Sequence, residues 1–106
     1  MRVLLRRTPR PSAVFVANDP MAIGAMKAVW AAGLRIPEDI AIVGAGDIIH
    51  GDMLRVPLTT VTWSRLEMGT RAAELLLQQL ADPATAPVRV IVQPQLLVRA
   101  SCGTRA

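Results

Sequence analysis

The sequence predicts an α/β fold, a parallel sheet flanked by helices, on three observations. Two apolar, β-branched runs, Ala13-Val14-Phe15-Val16-Ala17 and Ile40-Ala41-Ile42-Val43, have the character of strands buried on both faces of a parallel sheet. One segment of helical spacing lies between them, so residues 13–47 spell a complete βαβ unit. Each run ends in a polar or glycine-rich tip, Asn18-Asp19 and Gly44-Ala45-Gly46-Asp47, and open parallel sheets bind ligands at the carboxyl ends of their strands.

Taken in order, Arg2 to Arg7 suit a helical turn or two, stopped by Thr8-Pro9-Arg10-Pro11, where proline forbids continuation. After the first strand Asp19 fits an N-cap and Pro20 the first helical position, where a missing N–H costs nothing. Ala22, Ile23, Met26, Val29 and Trp30 recur at helical spacing, and Gly33 supplies a stop that tolerates positive φ, so a helix is expected over 20–32. Leu34 to Asp39 connects to the second strand. Ile48 to Leu54 leaves room for one helical turn before Pro57, and Leu58-Thr59-Thr60-Val61-Thr62 reads as a third, more polar strand.

Ser64 and Glu67 form an S-x-x-E capping box opening a helix that runs to Ala81, with Leu66, Ala73, Leu76, Leu77 and Leu80 on one face. Asp82-Pro83 ends it. Val88 to Val92 and Gln95 to Val98 are expected as two further short strands, separated by Pro94, which cannot donate to a ladder. Two long helices are few for covering several parallel strands, so the chain is expected to be a piece of a larger domain.

Composition narrows the function classes. The chain has 106 residues and 52% of them are hydrophobic, enough for a packed core. The formal charge of +4 resides in Arg2, Arg6, Arg7 and Arg10; beyond residue 10, eight basic and eight acidic side chains balance. With no aromatic residue or recognition-helix pattern beside it, this basic end reads as a solvated helix face rather than a DNA-binding arm. One cysteine, Cys102, and one histidine, His50, supply neither a disulfide nor a four-ligand zinc site, and no cofactor or metal is expected. The opening apolar run is too short for a secretory core and no stretch reaches membrane-spanning length, so a cytoplasmic protein is expected.

The run IAIVGAGD raises a dinucleotide-binding enzyme, but Ile49 stands where the third glycine belongs and Pro57 interrupts the helix that should follow. No nucleophile–base or paired-carboxylate arrangement stands out, and no catalytic residue is assigned.

Three segments, PSAVFVANDPMAIGAMKAVWAAGLRIPEDIAIVGAGD, VPLTTVTWSRLEMGTRAAELLLQQL and QPQLLVRAS, resemble in order and spacing the LacI/GalR bacterial transcription regulators. The resemblance covers almost the whole chain. It implies a Rossmann-like, periplasmic-binding-protein-like type I sensor in which two subdomains close on a sugar or related metabolite. It also implies a homodimer and a separate helix-turn-helix that reads operator DNA. This chain is similar to the C-terminal part alone, with the helix-turn-helix absent: residues 1–61 and 95–100 would belong to the C-terminal subdomain. Residues 64–93 would pack on a mostly missing N-terminal one, leaving the leucine face exposed. A transport-type sugar-binding protein shares the fold and is the alternative; the AND-x-MA and PLTTV strings favour the regulator.

The resemblance also implies site residues. In its AND-x-MA motif Asn and Asp approach the effector, here Asn18 and Asp19, for which turn geometry and helix capping are the competing local roles. At the second tip the family's Asp and the aromatic before it are replaced by Gly46 and Ala45, which leaves Asp47 as the available carboxylate. Losing the first carboxylate should remove about 1.5–3 kcal/mol from binding a polyol, so an altered effector, or loss of sensing, is expected. Trp63 sits at the crossover between subdomains and is either a pocket wall for a sugar's C–H face or a hinge-packing residue. Ile23, Met53 and Leu54 are expected at the dimer interface and Met26 inward; His50 is given no role.

Overall fold

A computed structural model describes residues 1–104 of the chain. It divides into two units, one comprising residues 1–62 with the segment from Leu96 onward, the other Trp63–Gln95. The elements are α1 (Arg2–Leu5), β1 (Ala13–Phe15), α2 (Asp19–Ala31), β2 (Ala41–Ala45), β3 (Thr59–Thr62), α3 (Arg65–Ala81), β4 (Gln95–Leu97) and a 3₁₀ turn at Ala100–Cys102. The four strands form one sheet in chain order. β1 and β2 are parallel, with Val14 opposite Ile42, and so are β2 and β3, with Gly44 opposite Thr60.

The core of the first unit is the contact of α2 with the sheet: Ala22, Ala25, Met26 and Val29 meet Ile40, Ile42, Ile36 and Leu58. Met26 points inward, as its helical position requires. The expectation that both strands of the βαβ unit are covered on both faces is not met. Val14 and Val16 pack on the core cluster, but Phe15 between them is 64% exposed. A continuous apolar run says that both faces can be buried; whether they are depends on how many helices lie over the sheet, and α2 is the long helix of this unit. An open groove of about 740 Å³ follows β1, lined by Leu4, Phe15, Met21 and Ala28 among others.

The end of α2 follows from local chemistry. Gly33 takes φ 74°, and the Gly33 and Leu34 amides donate to the carbonyls of Trp30 and Val29 at 3.0 and 3.2 Å, closing a Schellman motif. In the connection that follows, the Asp39 carboxylate accepts from the Arg35 amide at 2.8 Å and from its guanidinium at 3.0 and 3.2 Å. The guanidinium hydrogen bonds, then the amide, hold the Asp39 pKa down to about 2, below the ordinary value of 3.8. A depressed carboxylate pKa stabilises the fold above the ordinary value, and that contribution is lost as pH falls through the folded-state value. An NMR titration is therefore expected to place Asp39 near 2, and Arg35→Gln to raise it toward the ordinary value while the residue 35 amide still holds it down in part; an Asp39 that titrates normally in the unsubstituted chain contradicts this pairing.

Two further expectations are corrected. Residues 48–54 form hydrogen-bonded turns, Gly51 N–H to Ile48 O and Met53 N–H to His50 O, both 3.0 Å, rather than a helical turn. His50 at φ 69° breaks the helical path. Residues 88–92 form no strand: the second unit offers them α3 and no neighbouring strand, and a strand exists only through its ladder. In that unit the Ser64 hydroxyl accepts from the Glu67 amide at 3.1 Å, the N-cap half of the expected capping box. Leu66, Leu76, Leu77 and Leu80 stand exposed along α3.

Candidate functional site

Because β1, β2 and β3 run parallel, their carboxyl ends meet at one edge of the sheet, which gathers Asn18, the Gly46-Asp47 tip and Thr62. At the first tip the cap falls to the residue before the one read from the sequence. Asn18, not Asp19, is the N-cap of α2: it is extended, at φ −154° and ψ 163°, and its Oδ1 accepts from the Met21 amide at 2.9 Å. The helix consequently starts one residue early and Pro20 occupies its second position, where the amide is still without an intrahelical partner. Asn18 is exposed, and its carboxamide nitrogen has no protein partner among the described residues.

Asp19 is relieved of capping by a better use. It is 1% exposed. Its Oδ1 accepts from the Thr60 hydroxyl at 2.7 Å and its Oδ2 from the Ile48 amide at 2.8 Å. A carboxylate can be buried only when such donors meet it. Gly44 completes the arrangement, since a Cβ on it would collide with Asp19 Oδ1. One carboxylate thus joins the first tip to the loop after the second and to the third strand.

The second tip carries its own constraints. Gly46 has φ 121°, a region open to glycine and closed to side-chain-bearing residues, and its amide donates to Val61 O at 2.8 Å. An aspartate at this position, which the resemblance implies for relatives, would strain this backbone, although a Cβ would meet open space. Asp47 follows at φ 50°. Its Oδ1 accepts from Arg99 Nη2 at 2.9 Å, while Arg99 Nη1 donates to Leu58 O at 2.9 Å. The pair is half-buried.

The structure therefore brings Asn18, Asp19 and Asp47 together at one sheet edge, with only Asn18 holding an uncommitted polar group of its own. Trp63 follows directly after β3 and belongs to the second unit. Of the residues read as interfacial, Met53 is 76% exposed, and Ile23 and Leu54 are half-buried. Beside them the Arg55 guanidinium lies 5.5 Å from the Trp30 ring centroid, a cation–π distance.

Sequence reasoning missed Gly44, Thr60, Arg99 and Ser101. Ser101 is fully buried; its hydroxyl donates to Ile42 O at 2.6 Å and accepts from the Thr59 amide at 2.8 Å, tying the 3₁₀ turn to two strands. The Thr59 hydroxyl in turn accepts from the Arg99 amide at 2.9 Å and donates to Arg99 O at 3.1 Å. The strings TTV and VRAS were the available signal, each placing hydroxyls beside apolar strand residues.

Comparison with known proteins agrees with this architecture. Residues 2–102 match the periplasmic binding protein-like domain family. The HTH-type transcriptional repressor PurR of Pasteurella multocida (strain Pm70) is 36% identical over 105 residues, 99% of this chain and 31% of its own length. The ribose operon repressor of Escherichia coli (strain K12) is 38% identical over 101 residues, 95% of this chain and 31% of its own. Among solved structures, a complex of the transcriptional regulator CelR with cellobiose superposes with a TM-score of 0.85 at 38% identity, covering 94% of this chain and 31% of that one. The chain thus spans about a third of the length of the relatives it matches. No helix among the described residues is long and apolar enough to cross a membrane. The relatives are transcriptional regulators. With a family match over nearly its whole length and a parallel sheet whose strand tips carry the AND-x-MA residues, the chain belongs to the periplasmic binding protein-like domain family, and within it is similar to LacI-family transcriptional regulators.

Proposed function

We propose that this chain is the effector-sensing and dimerisation portion of a cytoplasmic LacI/GalR-type repressor that responds to a sugar or related small metabolite. The observation that carries this reading is the convergence of three parallel strand ends with the exposed carboxamide of Asn18, in a chain similar to regulators solved with cellobiose and with ribose. Asn18 offers a hydroxyl pair both a donor and, shared with the Met21 amide, an acceptor. Asp47 presents a carboxylate steadied by Arg99. Trp63, in the second unit, is proposed as an effector contact on its own chemistry, an indole face that suits a sugar's C–H groups. Asp19, buried with both oxygens engaged, is left out of the contact set.

Homodimers would form through Ile23, Met53 and Leu54. Operator DNA would be read by a helix-turn-helix outside these residues, and the reading gives the chain no catalytic role.

A chimera tests this: the chain replaces the matching part of the Thermobifida fusca regulator CelR, which is 39% identical to it over 101 residues. The chimera is expected to bind that regulator's operator as a dimer. Its operator affinity is expected to shift by roughly 5- to 150-fold, the usual range of allosteric coupling, with at least one sugar of a panel of mono- and disaccharides. A chimera that folds, dimerises and binds operator yet answers to none of the panel, cellobiose and ribose included, removes the sensing role.

A further inference from the structure

The glycine-rich second tip lacks internal means of holding its shape. Gly44 and Gly46 flank Ala45, and Gly46 has neither a side chain nor the φ restriction that one would bring. What holds the loop comes from elsewhere in the chain. Thr60, fully buried on β3, is the hub: its hydroxyl donates to Asp19 Oδ1 at 2.7 Å and lies 3.4 Å from the Asp47 amide, which donates to it. Asp19 Oδ2 then takes the Ile48 amide at 2.8 Å. Two consecutive loop amides, Asp47 and Ile48, are thereby fixed by two buried side chains from α2 and β3.

We infer that Asp19 and Thr60 form a positioning latch: a buried carboxylate and hydroxyl that clamp the 46–48 loop to the strand leading to the crossover at Trp63. The latch lies behind the effector surface and touches no effector. It makes the backbone of the second tip, rather than a side chain at position 46, the element presented there, and it ties any movement of that tip to β3. The purpose of the latch rests on the sensor reading; its existence does not.

Amide hydrogen exchange followed by NMR on the full chain tests it without any effector. The Ile48 and Asp47 amides are compared with the Val16 and Ala41 amides, which bridge β1 and β2 at 2.8 Å. Asp19→Asn keeps the shape but offers one acceptor where two donors converge. Thr60→Val keeps the volume and removes the hub, and Thr60→Ser restores the hydroxyl. Asp19→Asn and Thr60→Val are expected to speed exchange at Ile48 by roughly tenfold or more relative to the reference amides, the size set by losing a hydrogen bond to a charged group, and at Asp47 by roughly twofold to tenfold, since its acceptor is the neutral Thr60 hydroxyl. Thr60→Ser is expected to match the unsubstituted chain.

If Ile48 and Asp47 speed up only as much as Val16 and Ala41, the two residues merely stabilise the fold and the latch is overturned. Thr60→Ser behaving like Thr60→Val overturns it equally. Should Asp19→Asn not fold, the two Thr60 variants decide. A failed latch leaves the chimera result standing, and a silent chimera leaves the exchange result standing.

Discussion

Replacing Gly44 with alanine is expected to lower stability by about 2–4 kcal/mol, a large effect for adding one methyl group. The Cβ would enter the space held by Asp19 Oδ1 and press on Leu58 Cδ2 at 3.2 Å, so either the strand shifts or the carboxylate leaves its donors. Overpacking of a core alone costs about 1–3 kcal/mol, and displacing a hydrogen-bonded buried carboxylate adds to it. Gly44 lies opposite Thr60 in the register, in the middle of the sheet, so β2 has little freedom to yield. Urea denaturation of the chain reads the effect. A midpoint unchanged by Gly44→Ala would show that the carboxylate relocates freely. Combined with Asp19→Ala, the substitution is expected to cost less than the sum of the two singles, because the group it collides with is gone.

Ser101→Ala is expected to cost about 2–4 kcal/mol, because one hydroxyl satisfies two buried backbone groups, the Ile42 carbonyl and the Thr59 amide. A buried donor or acceptor that is orphaned loses its hydration without compensation. For a unit of this size the melting temperature should fall by about 10 °C or more. The adjacent Cys102→Ala serves as a control: the Cys102 thiol is half-buried and makes only weak sulfur contacts, to Arg99 O at 3.6 Å and to the exposed Thr104 hydroxyl at 3.3 Å, so its loss should matter little. If the two variants melt alike, the bridge through Ser101 is not what joins the terminal segment to β2 and β3.

Both substitutions act on residues that sequence reading passed over, while the elements around them were legible. The α2 helix could be read because its signals are local: an Asx cap and proline at one end, Gly33 in a Schellman motif at the other. The strands around residues 14, 42 and 60 were equally plain from β-branched runs. Misreadings came wherever a local signal had a distant competitor. Asp19 looked like the cap because it precedes Pro20, but Thr60 and Ile48 claim its carboxylate and Asn18 takes the cap. Residues 88–92 have the composition of a strand and no partner strand in their unit, so they form none. The run at 13–17 was read as covered on both faces, yet Phe15 is open because coverage depends on how many helices pack on the sheet.

The sequence by itself determined the α/β class, the parallel direction of the strands, the two long helices to within about a residue and the place of the strand tips, because periodicity and capping act within a few residues of their cause. Tertiary structure alone decided which polar groups at those tips are spoken for. Asp19 is answered by Thr60 forty-one residues away and Asp47 by Arg99 fifty-two residues away. Such pairings depend on the register that sets Gly44 against Thr60 and on the turn that returns Arg99 and Ser101 to β3. A buried carboxylate takes whatever donors the fold brings within hydrogen-bonding distance, and that geometry exists only once distant strands are laid side by side.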